Sequence, residues 1–244
     1  MKPCVVVMVT SDKCYDNLEW VWGYRENDRM GGSDPYSASK GAAELVISSY
    51  IKSFFPNNGS IRIGVGRAGN VIGGGDWAQN RVVPDCFRAW IKGENALIRS
   101  PYSTRPWQHV LEPLSGYLLL SSALSKNLEL HGEPFNFGPM AHQNYTVKEL
   151  VNEITKYWPG SEWSDKSAKN DSPQEAGLLQ LNCDKALNIL DWQATLNFKE
   201  TAQWTADWYR TFYDKTPEDA FNLTNKQIND YMDLAMNRKT FNLE

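Results

Sequence analysis

The chain of 244 residues is 41% hydrophobic and 22% charged, which is ordinary globular composition with enough length for one large domain or two small ones. This composition excludes a disordered protein. The net charge is −4 and the 25 basic residues are scattered along the chain, so the basic patch of a nucleic-acid-binding protein is missing. We therefore expect no nucleic-acid partner.

The four cysteines, Cys4, Cys14, Cys86 and Cys183, lie far apart and match no metal-ligand spacing. The three histidines form no ligand set either, so we predict no metal site. Cysteines that need no pairing in a chain of this size favour reduced thiols and a cytoplasmic location. No apolar segment has the length of a membrane span, and the N-terminus lacks a signal-peptide cleavage site, so we predict no membrane association.

Strand and helix patterns alternate through the first part of the chain. Residues 4–10, CVVVMVT, form an apolar run that is typical of a central parallel strand covered on both faces. A helix pattern extends from SDPYSASK to Phe55, with Ser33 or Asp34 as its N-cap and Pro35 in its first turn. Residues 60–66, SIRIGVG, predict a second buried strand followed by a glycine-rich loop.

Helix patterns dominate the later part of the chain. RVVPDCFRAWIKG predicts a short amphipathic helix, ALIRS a strand, the segment from near His109 a long helix, and PFNFG (134–138) a short strand. Four more helix-length patterns then follow with little strand between them: TVKELVNEITKYW, DKALNILDW, LNFKETAQWTADWYRTFYD and LTNKQINDYMDLAMNR. These patterns predict an α/β protein with a helical second lobe.

Residues 64–69, GVGRAG, match the G-x-G-x-x-G pattern of dinucleotide-binding turns. Such a turn follows the first strand of its domain and leads directly into a helix whose N-terminus faces the pyrophosphate. Here the motif leads into NVIGGGDW, with no helix start for about ten residues and no acidic strand-end residue about 20 positions on. Asp76, in the second glycine run, would repel an anion. We therefore predict that GVGRAG is not a pyrophosphate site.

Tyr36 and Lys40, in YSASK, are one helical turn apart on the same helix face. A lysine ammonium beside a phenol favours the phenolate, which is the form that accepts a proton. The spacing alone is weak evidence, and a purely structural role is an equal alternative. The pair, however, begins a helix that follows a strand ending in TSDK (10–13), and open α/β sheets place their sites at the carboxyl ends of strands. Ser11 at that end can hydrogen-bond a sugar oxygen that Tyr36 would deprotonate.

A strand-end hydroxyl residue followed by Tyr-x-x-x-Lys is the pattern of the short-chain dehydrogenase/reductase superfamily. The segments TSDKCYDN, WVWGYREND, DPYSASKGAAELV, GRAGNVIGGGDW, RPWQHVLEPLSGYL and FNFGP resemble, in its extended nucleotide-sugar-modifying branch, the CDP-glucose 4,6-dehydratase family. The resemblance extends from residue 4 to roughly residue 215. Most sugar dehydratases of the branch have Thr-Asp-Glu where this chain has Ser11, Asp12 and Lys13, a variant associated with the CDP-glucose group.

The resemblance implies a partial Rossmann-like parallel sheet with a smaller, mainly helical substrate-binding lobe. Residues 1–70 plus about 109–138 would form the sheet domain, and residues 71–108 and 139–244 the nucleotide-sugar lobe. In this family the glycine fingerprint precedes the TSDK strand by four strand–helix units, so the chain is expected to lack on the order of a hundred N-terminal residues that bind NAD. The glycines of GVGRAG would then let the backbone approach substrate and nicotinamide.

The family's mechanism also implies residue roles. NAD takes hydride from sugar C4 while Tyr36 removes the hydroxyl proton, Lys40 supports the phenolate and holds the nicotinamide ribose, and Ser11 orients the 4-hydroxyl. Asp12 would protonate the leaving hydroxyl, the alternative being an ordinary strand-end carboxylate. Lys13 would be either a neutral base for the C5 proton or a cation that stabilises the enolate, the alternative being an exposed lysine without a role.

Two further positions match substrate contacts of the family. Asn70, in GNVIG, corresponds to a residue that contacts the substrate diphosphate, and Arg105, in STRPW, to a phosphate-binding arginine. A surface ion pair is the alternative for Arg105. No family role transfers to Glu112, which stands where many members have aspartate.

Three functions remain open at this point. The first is NAD-dependent CDP-glucose 4,6-dehydratase chemistry, with activity dependent on the expected N-terminal segment. The second is another nucleotide-sugar dehydratase or an epimerase of the same branch, although an epimerase needs no acid and base for elimination. The third is a non-catalytic fragment that keeps only sugar-nucleotide binding or an oligomer interface. A homo-oligomer is expected in each case, since members of the family commonly dimerise near the Tyr-Lys helix.

Overall fold

The computed structural model describes residues 4–57, 59–167 and 177–240. Its strands are β1 (Cys4–Ser11), β2 (Ile61–Ala68), β3 (Val71–Ile72), β4 (Ala96–Ile98), β5 (Thr104–Arg105), β6 (Gln108–His109), β7 (Pro134–Phe137), β8 (Tyr145–Thr146) and β9 (Trp163–Asp165). Its helices are α1 (Pro35–Phe54), α2 (Val82–Trp90), α3 (Leu111–Lys126), α4 (Val147–Thr155), α5 (Asp184–Leu190), α6 (Phe198–Asp214) and α7 (Pro217–Arg238). The predicted α/β class is confirmed.

The strands β1, β2 and β7 form a parallel sheet in that order. Its register places Thr10 beside Arg67, and Arg67 beside Asn136. Among the described residues β1 pairs with β2 alone, so its position as a central strand stays a prediction. On β1, Met8 and Val9 are 38% and 59% exposed.

Helix α3 packs on one face of the sheet. Leu120 and Leu124 of α3, Phe135 and Phe137 of β7, and Trp192 are completely buried in one apolar cluster. Burying a leucine or phenylalanine side chain contributes about 1.5–3 kcal/mol, so this cluster is a main source of the cohesion between sheet and helix.

The glycines within β2 allow that helix to approach. A Cβ atom on Gly64 would lie 2.8 Å from a methyl group of Leu124, and one on Gly66 would lie 2.5 Å from the ring of Tyr117. These contacts are shorter than carbon atoms tolerate. Gly64 and Gly66 therefore admit the side chains of α3, and the expectation that they let the backbone approach a ligand is wrong for these two positions.

A second apolar cluster joins α2, α4 and α6. At its centre the Phe87 ring stacks on Tyr209, with ring centroids 4.1 Å apart, and contacts Trp90 and Trp158 edge to face. Helices α4, α5, α6 and α7 confirm the four helix patterns of the later part. Helix α7 begins at Pro217, six residues before its predicted start, with Thr216 as its N-cap. The assignment of residues 1–70 plus about 109–138 and of 71–108 plus 139–244 to two domains stays a prediction.

No helix among the described residues is both long and apolar enough to cross a membrane. In the same part of the chain, His, Cys, Asp and Glu side chains form no group of three or more that could hold a metal ion.

Glu112, in the first turn of α3, connects this helix by hydrogen bonds to the segment before α6 and to α7. Its carboxylate accepts hydrogen bonds from the backbone N–H groups of Thr195 and Leu196, at 2.9 and 2.6 Å, and from the hydroxyl of Tyr231 on α7, at 2.8 Å. Burial raises the pKa of Glu112 to about 7. Three donors converge on one buried acceptor, so the contact depends on both carboxylate oxygens.

We predict that Glu112→Gln lowers the free energy of unfolding by about 1–3 kcal/mol, because the amide nitrogen of glutamine would face an N–H or O–H donor. Urea unfolding followed by tryptophan fluorescence measures the loss. Glu94→Gln, at an exposed position, is the matched control and should leave the midpoint unchanged. Equal midpoints for both variants would contradict the prediction.

Candidate active site

The carboxyl end of β1 turns directly into a short 3₁₀ segment, Asp12–Cys14. The Ser11 hydroxyl accepts a hydrogen bond from the backbone N–H of Lys13 at 3.1 Å and donates to Oδ1 of Asp12 at 2.9 Å. This local network caps the turn and fixes the carboxylate of Asp12 relative to Ser11.

Asp12 is buried, and its Oδ2 atom has no hydrogen-bond partner among the described residues. Gly69 faces it so closely that a Cβ atom there would lie 3.2 Å from Oδ2. Burial raises the pKa of Asp12, while Lys13, the Ser11 hydroxyl and Arg105 act in the opposite direction. A carboxyl group in this setting holds its proton better than an exposed one, which suits a general acid.

The Tyr36–Lys40 pair lies in the first turns of α1. Asp34 caps the helix, accepting hydrogen bonds from the backbone N–H groups of Tyr36 and Ser37 at 2.9 and 3.0 Å, and Pro35 occupies the first turn. Lys40 Nζ lies 5.4 Å from the centroid of the Tyr36 ring, within cation–π range. The Tyr36 side chain is 57% exposed, so its phenol is accessible from the cleft described next.

A cleft of about 470 Å³ opens at this end of the sheet. Six of the seven predicted site residues line it: Ser11, Asp12, Lys13, Tyr36, Asn70 and Arg105. Lys40 is not part of the wall and reaches the site through its contact with the Tyr36 ring. The structure thus brings together residues that are up to 94 positions apart in the sequence (Ser11 and Arg105).

Arg105, in β5, is 5% exposed and its guanidinium donates to the carbonyl oxygen of Thr104 at 2.7 Å. It is close enough for its charge to act on the carboxyl group of Asp12. Arg105 is thus a buried residue in the wall of the cleft, and its role as a phosphate-binding arginine stays a prediction.

The wall opposite the sheet includes charged residues that the sequence reasoning did not select, among them Arg81, Arg99 and Asp76. Arg81 immediately precedes α2, and its guanidinium lies 3.4 Å from the carboxylate of Asp76. Both arginines stand in segments without a recognisable motif. In the sequence, Arg81 begins a predicted helix and Arg99 stands in a predicted strand. Many residues have such positions, so the sequence did not distinguish these two arginines from others.

The chain is similar in sequence and in fold to known nucleotide-sugar enzymes. The chain is 46% identical, over 231 residues, to CDP-glucose 4,6-dehydratase from Salmonella typhimurium, a match that covers 93% of this chain and 64% of that protein. Among solved structures, the NAD complex of dTDP-glucose 4,6-dehydratase from Bacillus anthracis matches with a TM-score of 0.69 and 22% identity, covering 85% of this chain and 62% of the other. UDP-glucuronic acid 4-epimerase from Bacillus cereus matches with a TM-score of 0.71 and 16% identity, covering 86% and 62%. No family model matches the chain.

The chain therefore has the fold of these solved nucleotide-sugar dehydratase and epimerase structures, which it matches over 85% and 86% of its own length. In sequence, the chain is similar to CDP-glucose 4,6-dehydratase over 93% of its own length. It spans 64% of that relative's length.

We predict that Asp12→Asn raises the melting temperature by about 2–4 °C at pH 8 and by less at pH 5. The folded state holds the Asp12 proton more tightly than the unfolded state does, so stability that is present below the ordinary aspartate pKa is lost as the pH rises. Calorimetry at the two pH values measures this difference. Asp233→Asn on the exposed face of α7 is the control, and a lower melting temperature for Asp12→Asn at pH 8 would contradict the prediction.

Proposed function

We propose that the chain carries the catalytic residues and the sugar-nucleotide site of a CDP-glucose 4,6-dehydratase, a lyase that removes water across C5 and C6 of the sugar. The observation that carries the proposal is the convergence of Ser11, Asp12, Lys13 and Tyr36 on one cleft. The 46% identity to the Salmonella enzyme supports the choice of reaction.

The proposed cofactor is NAD. The residues fit its nicotinamide end, because the exposed Tyr36 phenol and the Lys40 ammonium stand together at the carboxyl end of a parallel sheet. Its pyrophosphate end finds no matching turn among the described residues, since the first two glycines of GVGRAG lie inside β2 and are packed against α3. Bound NAD would supply the hydride acceptor for C4 and afterwards the hydride donor for C6.

In the first step, Tyr36 accepts the proton of the sugar 4-hydroxyl. Ser11 orients that hydroxyl, and the Lys40 ammonium stabilises the negative charge of the phenolate through the contact with the Tyr36 ring. The ketone that results at C4 makes the C5 proton acidic.

In the elimination step, Asp12 gives its proton to the 6-hydroxyl, which leaves as water. The raised pKa of Asp12 keeps that proton available nearer neutral pH than an exposed aspartate would. Before that departure, the C5 proton passes to a solvent water, and the electron pair of the C5–H bond delocalises onto the C4 oxygen as an enolate. The enolate then forms the C5–C6 double bond as the 6-hydroxyl leaves. A cation near the C4 oxygen lowers the barrier.

We assign Lys13 to this electrostatic role. Its charge acts on two neighbouring carboxyl groups: the pKa of Asp34 is lowered by hydrogen bonds from Ser37 and Tyr36 and, to a smaller extent, by Lys13, and Lys13 also opposes the rise at Asp12. A lysine whose charge acts on two neighbouring carboxyl groups is suited to act as a cation near the reacting sugar.

The remaining wall of the cleft would hold the nucleotide. Asn70 and Arg105 are proposed to contact the substrate diphosphate, Asn70 through its amide and Arg105 through its guanidinium. CDP-glucose is the proposed substrate because of the sequence relative. An epimerase is disfavoured, since Asp12 and Lys13 would have no elimination to catalyse.

We also propose that the protein self-associates. Helix α1 has several exposed apolar side chains beyond the cleft, namely Leu45, Val46, Tyr50 and Phe54. An apolar helix face of this extent favours a partner of the same kind. Sedimentation over a range of protein concentrations tests this proposal.

The central test is turnover. The chain is mixed with NAD and CDP-glucose, alone and together with the portion of the Salmonella relative that it does not match, and the 4-keto sugar is detected by its absorbance in base. We expect product in at least the supplemented mixture, a loss of about 10²–10⁴-fold for Tyr36→Phe, and none for Tyr102→Phe on the surface. Absence of product and of CDP-glucose binding in both mixtures would reject the proposal. Turnover of UDP- or dTDP-glucose but not of CDP-glucose would reject cytosine as the base of the substrate nucleotide.

The role of Lys13 has its own test. Because a cation is needed, Lys13→Arg is expected to keep kcat within about tenfold of the parent, whereas Lys13→Met should lose about 10²–10³-fold. The rate of C5 proton exchange with deuterated solvent, measured by NMR, reports on the same step. An arginine variant as inactive as the methionine variant would indicate that Lys13 is the base.

A further inference from the structure

A row of polar side chains crosses the sheet one position before the catalytic strand ends. Thr10 of β1, Arg67 of β2 and Asn136 of β7 are lateral neighbours in the register, and residues in such a row point to the same face of a sheet. Arg67 and Asn136 are completely buried. The next row along contains Ser11.

The carboxylate of Glu44, on α1, contacts Thr10 and Arg67 of this row. It receives two hydrogen bonds from the Arg67 guanidinium, at 2.9 Å each, and one from the Thr10 hydroxyl. Glu44 is itself 4% exposed. It stands one helical turn beyond Lys40 and two turns beyond Tyr36, on the same side of α1.

The remaining donors of Arg67 extend the network to the segment that follows Asp12. The Arg67 guanidinium donates to the hydroxyl of Tyr15 at 2.8 Å and to the backbone carbonyl of Glu26 at 2.9 Å. The Tyr15 hydroxyl in turn donates to Asn136 Oδ1 at 2.7 Å. One buried guanidinium is therefore bonded to Glu44 on the helix of Tyr36, to Tyr15 directly after the turn that carries Asp12, and to the loop at Glu26.

Apolar packing does little to hold the first half of α1. The buried residues of α1 are Ser37, Gly41, Glu44 and Ile51, so the one large apolar side chain among them lies in the second half. The contact of Glu44 with Thr10 and Arg67 is thus the main side-chain attachment between the Tyr36–Lys40 turns and the sheet.

We propose that Glu44 is a positioning residue: through Arg67 and Thr10 it sets the distance between the Tyr36–Lys40 turns of α1 and the Ser11–Asp12 end of β1. The proposal rests on the catalytic roles given to Tyr36 and Ser11 above. A buried ion pair of this kind is weak evidence for stability, because an apolar replacement of both charges is often neutral. Its value here is geometric, since reaction rates fall steeply when reacting groups are displaced by about 1 Å.

The test separates positioning from stability. The variant Thr10→Val/Glu44→Leu/Arg67→Met replaces the three contacting groups by apolar ones of similar size and leaves Tyr15 bonded to Asn136. We expect its melting temperature to stay close to that of the parent, and the amides of residues 36–44 to exchange with deuterated solvent about tenfold faster, while those of α6 are unchanged. This readout requires no turnover, so it stands even if the proposed reaction is wrong.

The control is a second double hydrogen-bonded pair, Glu200 with Arg238, which joins α6 to the end of α7 at 2.6 and 2.8 Å. Glu200→Leu/Arg238→Met should leave exchange in residues 36–44 unchanged. If the triple variant fails to fold, Glu44→Asp, which keeps the charge but shortens the side chain by one methylene, should show the same local increase in exchange.

On protein that turns over CDP-glucose, separate measurement of kcat and KM completes the test. The triple variant is expected to lower kcat by about 10–100-fold with KM within about threefold, because the substrate contacts at Asn70 and Arg105 are untouched. Unchanged exchange in residues 36–44 of a folded variant, or a normal kcat, would overturn the positioning role.

Discussion

The buried guanidinium of Arg67 is the contact on which the geometry of the cleft depends. It is 1% exposed, and removing a cation from water to this extent costs several kcal/mol unless hydrogen bonds replace the lost solvation. Glu44, Tyr15 and the carbonyl of Glu26 provide those bonds. Each of them belongs to a different segment, so satisfying one side chain assembles the catalytic helix, the turn after β1 and the following loop around the same strand.

The cleft itself lies between two separately packed clusters. One cluster holds α3 against the sheet, and the other joins α2, α4 and α6. The reacting groups are placed by the sheet side, whereas the wall with Arg81 and Arg99 is placed by α2 and its neighbouring strands.

Sequence reasoning succeeded where local chemistry determines structure. The helix start at Asp34 and Pro35 and the strand that ends near Ser11 were recognised, because both signals depend on neighbours in the chain. The buried network of Arg67 and Glu44 was not predicted, because its members are 23 residues apart and each resembles an ordinary charged residue of a strand or helix.

The free edge of β1 has a practical consequence. Eight residues of strand backbone, with Val9 exposed beside them, are available in the described residues for pairing with another strand. A strand edge of this kind can pair with an extended segment of another molecule. A peptide that adds to β1 as a further strand would therefore reduce any self-association that proceeds through this edge.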